Sequence, residues 1–443
     1  MNEPAEHEKE TLDSVTSLCP ECLKAIPGII REDGGTMVME KTCPDHGPFR
    51  TLISSDLSTY ARFRQTPRKV TKFSTPGSRV HKGCPDDCGL CPSHEQHTCL
   101  AILDIVSHCD LQCPVCLADS KPHGRCIEIP ALRSALKNLI NCEGDVTPLQ
   151  IGGGEPTLHP QLPSVIREIC RLGFDKLELD TNGLALAGDP GLSERLREVG
   201  LGGVYLQMDG LSAEISIRIR GRDLVEKKLR AIENCKKAGL EVVLSVTVVP
   251  GINDGKLWDM IRFGMEQGLT GVNFQAMVFS GRIPDDLRDG EKRFTAGHFL
   301  REVEQQSGKK LVGNDFMPIP CPDPRCGCMS YLLIRNGELM PLRRVMAEDH
   351  LADLVADQSD WDVVLQQLHA GAASDCGCKM PWEKAFGPEA VCLGSEFFSV
   401  GYHGMMDAYS FDCERARKCC VHALTWDGRL IPFCLYNIKY RPH

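Results

Sequence analysis

The stretch HCDLQCPVC, residues 108–116, restricts what this chain can fold around more than any other feature. Cys109, Cys113 and Cys116 follow a C-x3-C-x2-C spacing. Three thiolates this close cannot pair as disulfides without leaving one over. Zinc usually draws two ligands from each of two knuckles to fill a tetrahedron. A three-cysteine loop more naturally holds three irons of a [4Fe–4S] cubane, leaving the fourth iron open to another ligand. A site-differentiated cluster is therefore the first expectation.

The 24 cysteines in 443 residues extend that reading. The polar, acidic start MNEPAEHEKETLDS has no apolar h-region, which argues against a signal peptide and a secreted disulfide scaffold. No stretch approaches the ~18 consecutive apolar residues of a spanning helix. Thiols that serve metals in a cytoplasmic protein are the expectation. A formal charge of −10 gives no support to a nucleic-acid surface. Length and 42% hydrophobic residues allow two to three domains with real cores.

Residues 1–15 read as a disordered tail and 16–55 as a metal-binding ribbon. There, CPEC (Cys19, Cys22) and CPDHG (Cys43, His46) flank IREDGGTMVMEKT, a hairpin turning at Asp33-Gly34-Gly35. Three sulfurs and one nitrogen would hold one ion. Residues 56–99 read as a connector and an auxiliary cluster loop, CPDDCGLCPSHEQHTC. Its Cys84, Cys88, Cys91 and Cys99 favour a second [4Fe–4S] cluster, with zinc as the alternative.

From residue 100 to 290 strands and helices alternate, which implies a parallel sheet curled by crossover helices. PALRSALKNLI places Leu132, Leu136, Leu139 and Ile140 on one helical face. Six such units make an α/β partial (β/α)6 barrel, with chemistry at the C-terminal ends of the strands. Cys170 and Cys235 fall on or beside apolar helical faces and read as core thiols, while Cys126 and Cys142 take no role. Residues 291–443 form a cysteine-rich C-terminal auxiliary-cluster region. It holds Cys321, Cys326, Cys328, Cys376, Cys378, Cys392, Cys413, Cys419, Cys420 and Cys434. Ten candidates for four places leave the ligands open; Cys321, Cys326, Cys413, Cys420 and Cys434 are put forward. VHALTWDGRLIPFC reads as a hairpin bringing Cys419 or Cys420 near Cys434.

The cysteine loop after a first strand, with Gly153-Gly154-Glu155-Pro156 after a second, resembles the radical S-adenosylmethionine superfamily. The ribbon, the CPDDCGLCPSHEQHTC loop and the CCVH…DGRLIPFC ending resemble one branch of it, over residues 18 to 440. That branch includes the tetraether lipid synthases and the dihydropterin methylating enzymes. Val115 departs from the aromatic residue that many members carry there.

The resemblance implies that S-adenosyl-L-methionine chelates the open iron and that Glu155 accepts from its amine. It also implies one or two auxiliary [4Fe–4S] clusters and a mononuclear iron or zinc at the ribbon, with iron favoured. Asn182, Gln207, Asp209, Arg220 and Asn253, at strand ends, are candidates for holding the cofactor. Reductive cleavage would generate a radical that functionalises an unactivated carbon of a lipid, a pterin or a similar small molecule. An electron donor such as flavodoxin or ferredoxin would feed it. The alternatives are 3-amino-3-carboxypropyl transfer, for example to arsenic, and a non-catalytic iron–sulfur electron carrier.

Overall fold

In the computed structural model, which describes residues 11–335, 338–356 and 396–441, the chain opens with a four-stranded antiparallel sheet. Its strands are β1 (Thr11–Leu18), β2 (Ala25–Asp33), β3 (Thr36–Cys43) and β4 (Gly47–Ser54), paired in sequence order. Burial along the first half of β2 alternates residue by residue, and Ile26, Ile30, Met37 and Met39 turn inward. Asp33 pairs with Thr36 across Gly34-Gly35, and both glycines have positive φ, as a two-residue hairpin turn requires. β1 lies largely within the stretch read as a tail. TLDSVTSL shows little apolar pattern of its own, and it is ordered by pairing from Thr11 to Leu18 with β2. The expected connector likewise contains a helix, α1 (Leu57–Gln65). Asp56 caps it by accepting from Thr59 N, and Tyr60 and Phe63 are buried beneath it.

The strands β5 (Leu100–Val106), β6 (Leu149–Gly153), β7 (Leu177–Thr181), β8 (Gly203–Gln207), β9 (Glu241–Val248) and β10 (Gly271–Ala276) pair in parallel and in order. The helices α2 (Ile129–Glu143), α3 (Leu162–Arg171), α4 (Leu184–Gly188), α5 (Pro190–Glu198), α6 (Ala213–Arg220), α7 (Val225–Lys237) and α8 (Leu257–Glu266) connect them. Leu132, Leu136 and Leu139 of α2 are buried in the core while Ile140 packs against its edge, close to the expected face. The (β/α)6 expectation holds. Cys235 is fully buried, Cys142 nearly so, and Cys170 is half-buried.

The described residues after 290 do not form a separate body, because their strands continue the barrel sheet at both edges. β14 (Glu396–His403) runs parallel to β10, and β12 (Gly327–Arg335) pairs antiparallel with β14 and with the short strands β11 (Met317–Pro318) and β13 (Glu338–Pro341). At the other edge, β15 (Val421–Leu424) runs parallel to β5 and forms a hairpin with β16 (Leu430–Pro432). Open edges of a parallel sheet expose unpaired backbone groups, and the C-terminal strands satisfy them. The domain division at 290 is corrected accordingly. Cys328 is fully buried in the core within β12, whereas Cys376, Cys378 and Cys392 lie outside the described residues.

Candidate radical site and metal centres

The loop after β5 carries Cys109, Cys113 and Cys116, and all three line one cavity of about 210 Å³ at the C-terminal end of the barrel. Backbone bonds fix the loop: Cys109 N donates to Lys121 O at 2.9 Å, and Cys116 exchanges two 2.9 Å bonds with Arg282. Gly153 and Gly154 pack against the strand and turn that lead into it. A Cβ at Gly153 would stand 2.1 Å from Val106 O, and one at Gly154 would stand 2.0 Å from His108 O. Gly153 also has φ +128. These glycines therefore let the chain's own backbone close up behind the cysteines, and both line the cavity.

Glu155 is buried and accepts from Thr157 N, Thr157 Oγ1, Thr181 Oγ1 and Asn182 N at 2.6–3.1 Å. Three of these bonds reach Oε1, and Oε2 accepts only from Asn182. Burial pushes its carboxyl above the usual range. Pro156 opens the short helical turn that follows.

The strand-end polar residues divide into two groups. Gln207 and Arg220 line the cavity. Arg220 grips Asp209 through two bonds of 2.6 and 2.9 Å and donates to Val115 O at 3.2 Å, tying α6 to the cysteine loop. Gln207 receives Lys228 Nζ at 3.0 Å and donates to Asp209 at 2.5 Å. Asn182, Asp209 and Asn253 stand behind these residues. Asn182 Nδ2 donates to Asp110 at 2.7 Å. Asn253 spends its amide on Asp209 O, Thr247 O and Val249 N, clipping the turn after β9. Asp209 and Asn253 therefore position other groups and are not among the residues that line the cavity. Burial pushes the Cys109 thiol up to about 12, with Glu155 and Asp110 adding to it, and also raises Cys113, where the Arg220 guanidinium opposes it.

Sequence reasoning missed the cavity floor. Asp104, Gln150, Asp180, Tyr205, Ser245 and Gln275 line it, one from each of the six barrel strands β5 to β10. Asp104 accepts from Tyr436 at 3.1 Å and from Arg441 at 2.7 Å. Gln275 donates to the Tyr205 hydroxyl at 2.9 Å. The signal lay in the strands: LELDT, GVYLQ and GVNFQA alternate apolar and polar residues although both faces of such a sheet are covered. Inward polar positions in a covered sheet mark a lined cavity.

At the ribbon, Cys19, Cys22, Cys43 and His46 bring their ligand atoms within 4.8 Å of one another. His46 Nδ1 lies 3.7 Å from Cys19 Sγ and 3.6 Å from Cys43 Sγ, and Cys22 and Cys43 sulfurs are 3.9 Å apart. A tetrahedron with bonds of about 2.0–2.3 Å has edges of about 3.3–3.8 Å, so the set fits one ion.

The other cysteines regroup. Cys84 stands in hydrogen-bonding reach of Cys413 and Cys88, with Cys91 near. Cys99 does not join them. It donates its backbone N–H to Cys420 O at 2.8 Å, and its thiol reaches Cys321 and Cys420. Cys326 lies close enough to Cys420 and Cys434 for their charges to interact. The grouping of Cys84, Cys88, Cys91 and Cys99 is thus corrected. Cys99 is followed at once by β5, and the pairing of β5 with β15 carries it to Cys420.

The family model described as the radical SAM superfamily matches residues 79–264, and an HMPTM N-terminal zinc ribbon domain matches residues 11–55. The chain is 33% identical to a 7,8-dihydro-6-hydroxymethylpterin dimethyltransferase of Methanocaldococcus jannaschii, spanning 98% of this chain and 94% of that protein. It is 30% identical to a probable GTP 3',8-cyclase of Pyrococcus abyssi over 47% of this chain and 65% of that one. Streptococcus suis SuiB bound to S-adenosylmethionine aligns over 48% of each chain with TM-score 0.40 and 13% identity. No helix among the described residues is long and apolar enough to cross a membrane. A three-cysteine loop over a lined cavity, in a chain similar over nearly its whole length to such a transferase, does not favour a mere electron carrier: this protein is an enzyme of the radical SAM superfamily, of transferase type.

Proposed function

We propose that the chain transfers a methyl group to an unactivated carbon of a pterin-type heterocycle, at the expense of two S-adenosylmethionines and two electrons from the donor. One cofactor leaves as methionine and 5′-deoxyadenosine, which carries off the substrate hydrogen. The other leaves as S-adenosylhomocysteine once its methyl is transferred. The observation that carries this is the floor of hydrogen-bonding groups beneath the cysteine loop, which suits a small polar ring rather than an acyl chain. The full-length similarity to a pterin dimethyltransferase supports the same class. Transfer of 3-amino-3-carboxypropyl groups has no comparable support.

Three cysteine thiols on one cavity wall are the donor set a site-differentiated [4Fe–4S] cluster takes. With S-adenosylmethionine bound, that group supplies radical chemistry at otherwise inert C–H bonds. The residues of the chain then have defined tasks. Arg220 holds the loop by Val115 O and opposes the negative charge of the thiolates. Glu155, with capacity left on Oε2, accepts from the cofactor's ammonium. Val278, Ile283, Met405 and Phe433 wall the cavity against water.

Cys84, Cys88, Cys91 and Cys413 form one auxiliary ligand set, and Cys99, Cys321, Cys420 and Cys326 the other, each for a [4Fe–4S] cluster relaying electrons. The ribbon set takes one iron or zinc ion. A flavodoxin or ferredoxin supplies the electrons.

The test is anaerobic turnover of the reconstituted chain with S-adenosylmethionine, a reductant and 6-hydroxymethyl-7,8-dihydropterin. Methylated pterin together with 5′-deoxyadenosine and S-adenosylhomocysteine is the expected result. Accumulation of 5′-methylthioadenosine instead, or no modified pterin with 5′-deoxyadenosine formed, overturns the proposal.

A further inference from the structure

Two carboxylates line the cavity floor, and they differ in one respect. Asp104, on β5, is neutralised by Arg441 and bonded by Tyr436. Asp180, on β7, has no hydrogen bond or ion pair from any described residue, although it faces the cavity from inside the barrel. Arg220, the cavity's other guanidinium, is already bound to Asp209. A carboxylate facing a cavity without a partner loses part of its hydration uncompensated, and such groups are found where a ligand supplies the partner.

The space beside Asp180 has a defined shape. Gly152 lies between the two acids on β6. A Cβ there would sit 3.7 Å from Asp104 Oδ1 and 3.9 Å from Asp180 Oδ2. With no side chain at Gly152, the floor between the carboxylates is bare backbone, against which a planar ring can lie. Tyr205, from the register position next to Asp180, and Gln275, which donates to its hydroxyl, close the far side.

We infer that Asp180 binds the substrate by its N–H-rich edge, accepting two parallel hydrogen bonds from adjacent coplanar donors of a 2-aminopyrimidin-4-one ring, the ring N–H and the 2-amino group. This rests on the pterin-type reading and specifies how that ring is oriented. A carboxylate matches a pair of coplanar donors as it matches a guanidinium fork. Replacing the 2-amino group by a carbonyl sets an acceptor against the carboxylate, and sites built on buried hydrogen bonds reject such analogues strongly.

Burial pushes the Asp180 carboxyl up to about 7. The charges of Glu155 behind the glycine loop, Glu178 on the same strand and Asp104 on β5 add to the rise, and Arg220 from α6 opposes it. Binding through the ionised form should therefore strengthen as pH rises through 7 and level off above it.

The test is equilibrium binding, under anaerobic conditions with S-adenosylmethionine present, of 6-hydroxymethyl-7,8-dihydropterin and of its 2-oxo lumazine counterpart to the reconstituted full-length chain. The wild type should prefer the pterin by about 100-fold or more. Asp180→Asn should weaken pterin binding about 10- to 100-fold, leave the lumazine nearly unchanged and abolish the pH dependence. Gly152→Ala, whose new methyl meets only ordinary contacts, should fold normally and weaken both ligands. If the wild type binds the pterin and Asp180→Asn keeps the full preference, the role of Asp180 is overturned and the pterin reading stands. If the wild type binds neither ring, both fall together.

Discussion

The ribbon and the auxiliary cysteine sets hold the same kind of ligand but assemble it in opposite ways. The ribbon collects Cys19, Cys22, Cys43 and His46 from two knuckles joined by one hairpin, and their ligand atoms already stand at tetrahedral distances. The auxiliary sets draw on both ends of the chain. Cys84, Cys88 and Cys91 meet Cys413, and Cys99 meets Cys321 and Cys420. A local site costs little chain entropy to close, whereas a long-range site forms only once the sheet has brought its edges together. The auxiliary sets therefore report on the tertiary fold, and the ribbon reports on itself.

The two regions touch nonetheless. Leu18, next to Cys19, packs in one apolar cluster with Cys88, Cys413 and Phe411. Lys41 of β3 is buried and donates to Ala408 O at 2.6 Å, Tyr409 O at 2.8 Å and Ser17 Oγ at 2.9 Å. Burial holds its ammonium down, to about 8.

The largest effect should come from the radical loop, which belongs to neither class because its three cysteines are local while its cavity is assembled. Cys113→Ala should reduce cleavage of S-adenosylmethionine to background, since two thiolates cannot hold a cubane with one open iron. Chromatographic assay for 5′-deoxyadenosine reads this directly, and wild-type rates would end the assignment.

Next in size is the regrouping. Cys413→Ala and Cys99→Ala should each lose about four of about 13 irons per chain, and the double variant about eight. If the two single variants deplete the same four irons, Cys99 belongs with Cys84 after all. Iron analysis with electron paramagnetic resonance of the reduced protein separates the cases.

Smaller still is the ribbon. Cys19→Ala with Cys22→Ala should lose one metal ion and keep cofactor cleavage. Any secondary loss should fall on the Cys84 set, which Leu18 contacts. Loss of the radical cluster as well would mean that the ribbon is not a local unit.

The smallest effect concerns charge in the assembled cavity. Asp180 binds its proton more tightly folded than unfolded, its value rising to about 7 through burial first. Stability is therefore lost as pH rises from the ordinary carboxylate range through 7. Asp180→Asn carries no such loss. It should melt above the wild type at pH 8, by less at pH 5, and match it only toward pH 4, with a difference of at most a few kcal/mol. Equal melting temperatures at pH 8 would show that the carboxylate is compensated.

Local pattern determined the elements whose partners are near in sequence. The Gly34-Gly35 hairpin, the α2 face, the parallel strands β5 to β10 and the two cysteine knuckles were all legible. So was the radical loop with its glycines, because one spacing and one Gly-Gly-Glu carry it. Only the tertiary structure decided which distant groups meet. Cys99 could not be separated from Cys84 by spacing, since the pairing of β5 with β15 places it. The polar-residue choice among strand ends needed coordinates too, because Asn253 and Asn182 look alike in sequence but only Arg220 and Gln207 reach the cavity. β1 and the C-terminal strands depend on edges offered by other parts of the chain. Hydrogen bonding along a helix or hairpin is decided by neighbours a few residues away, whereas sheet edges, cavity floors and shared ligand sets are decided by whichever segment arrives to satisfy them.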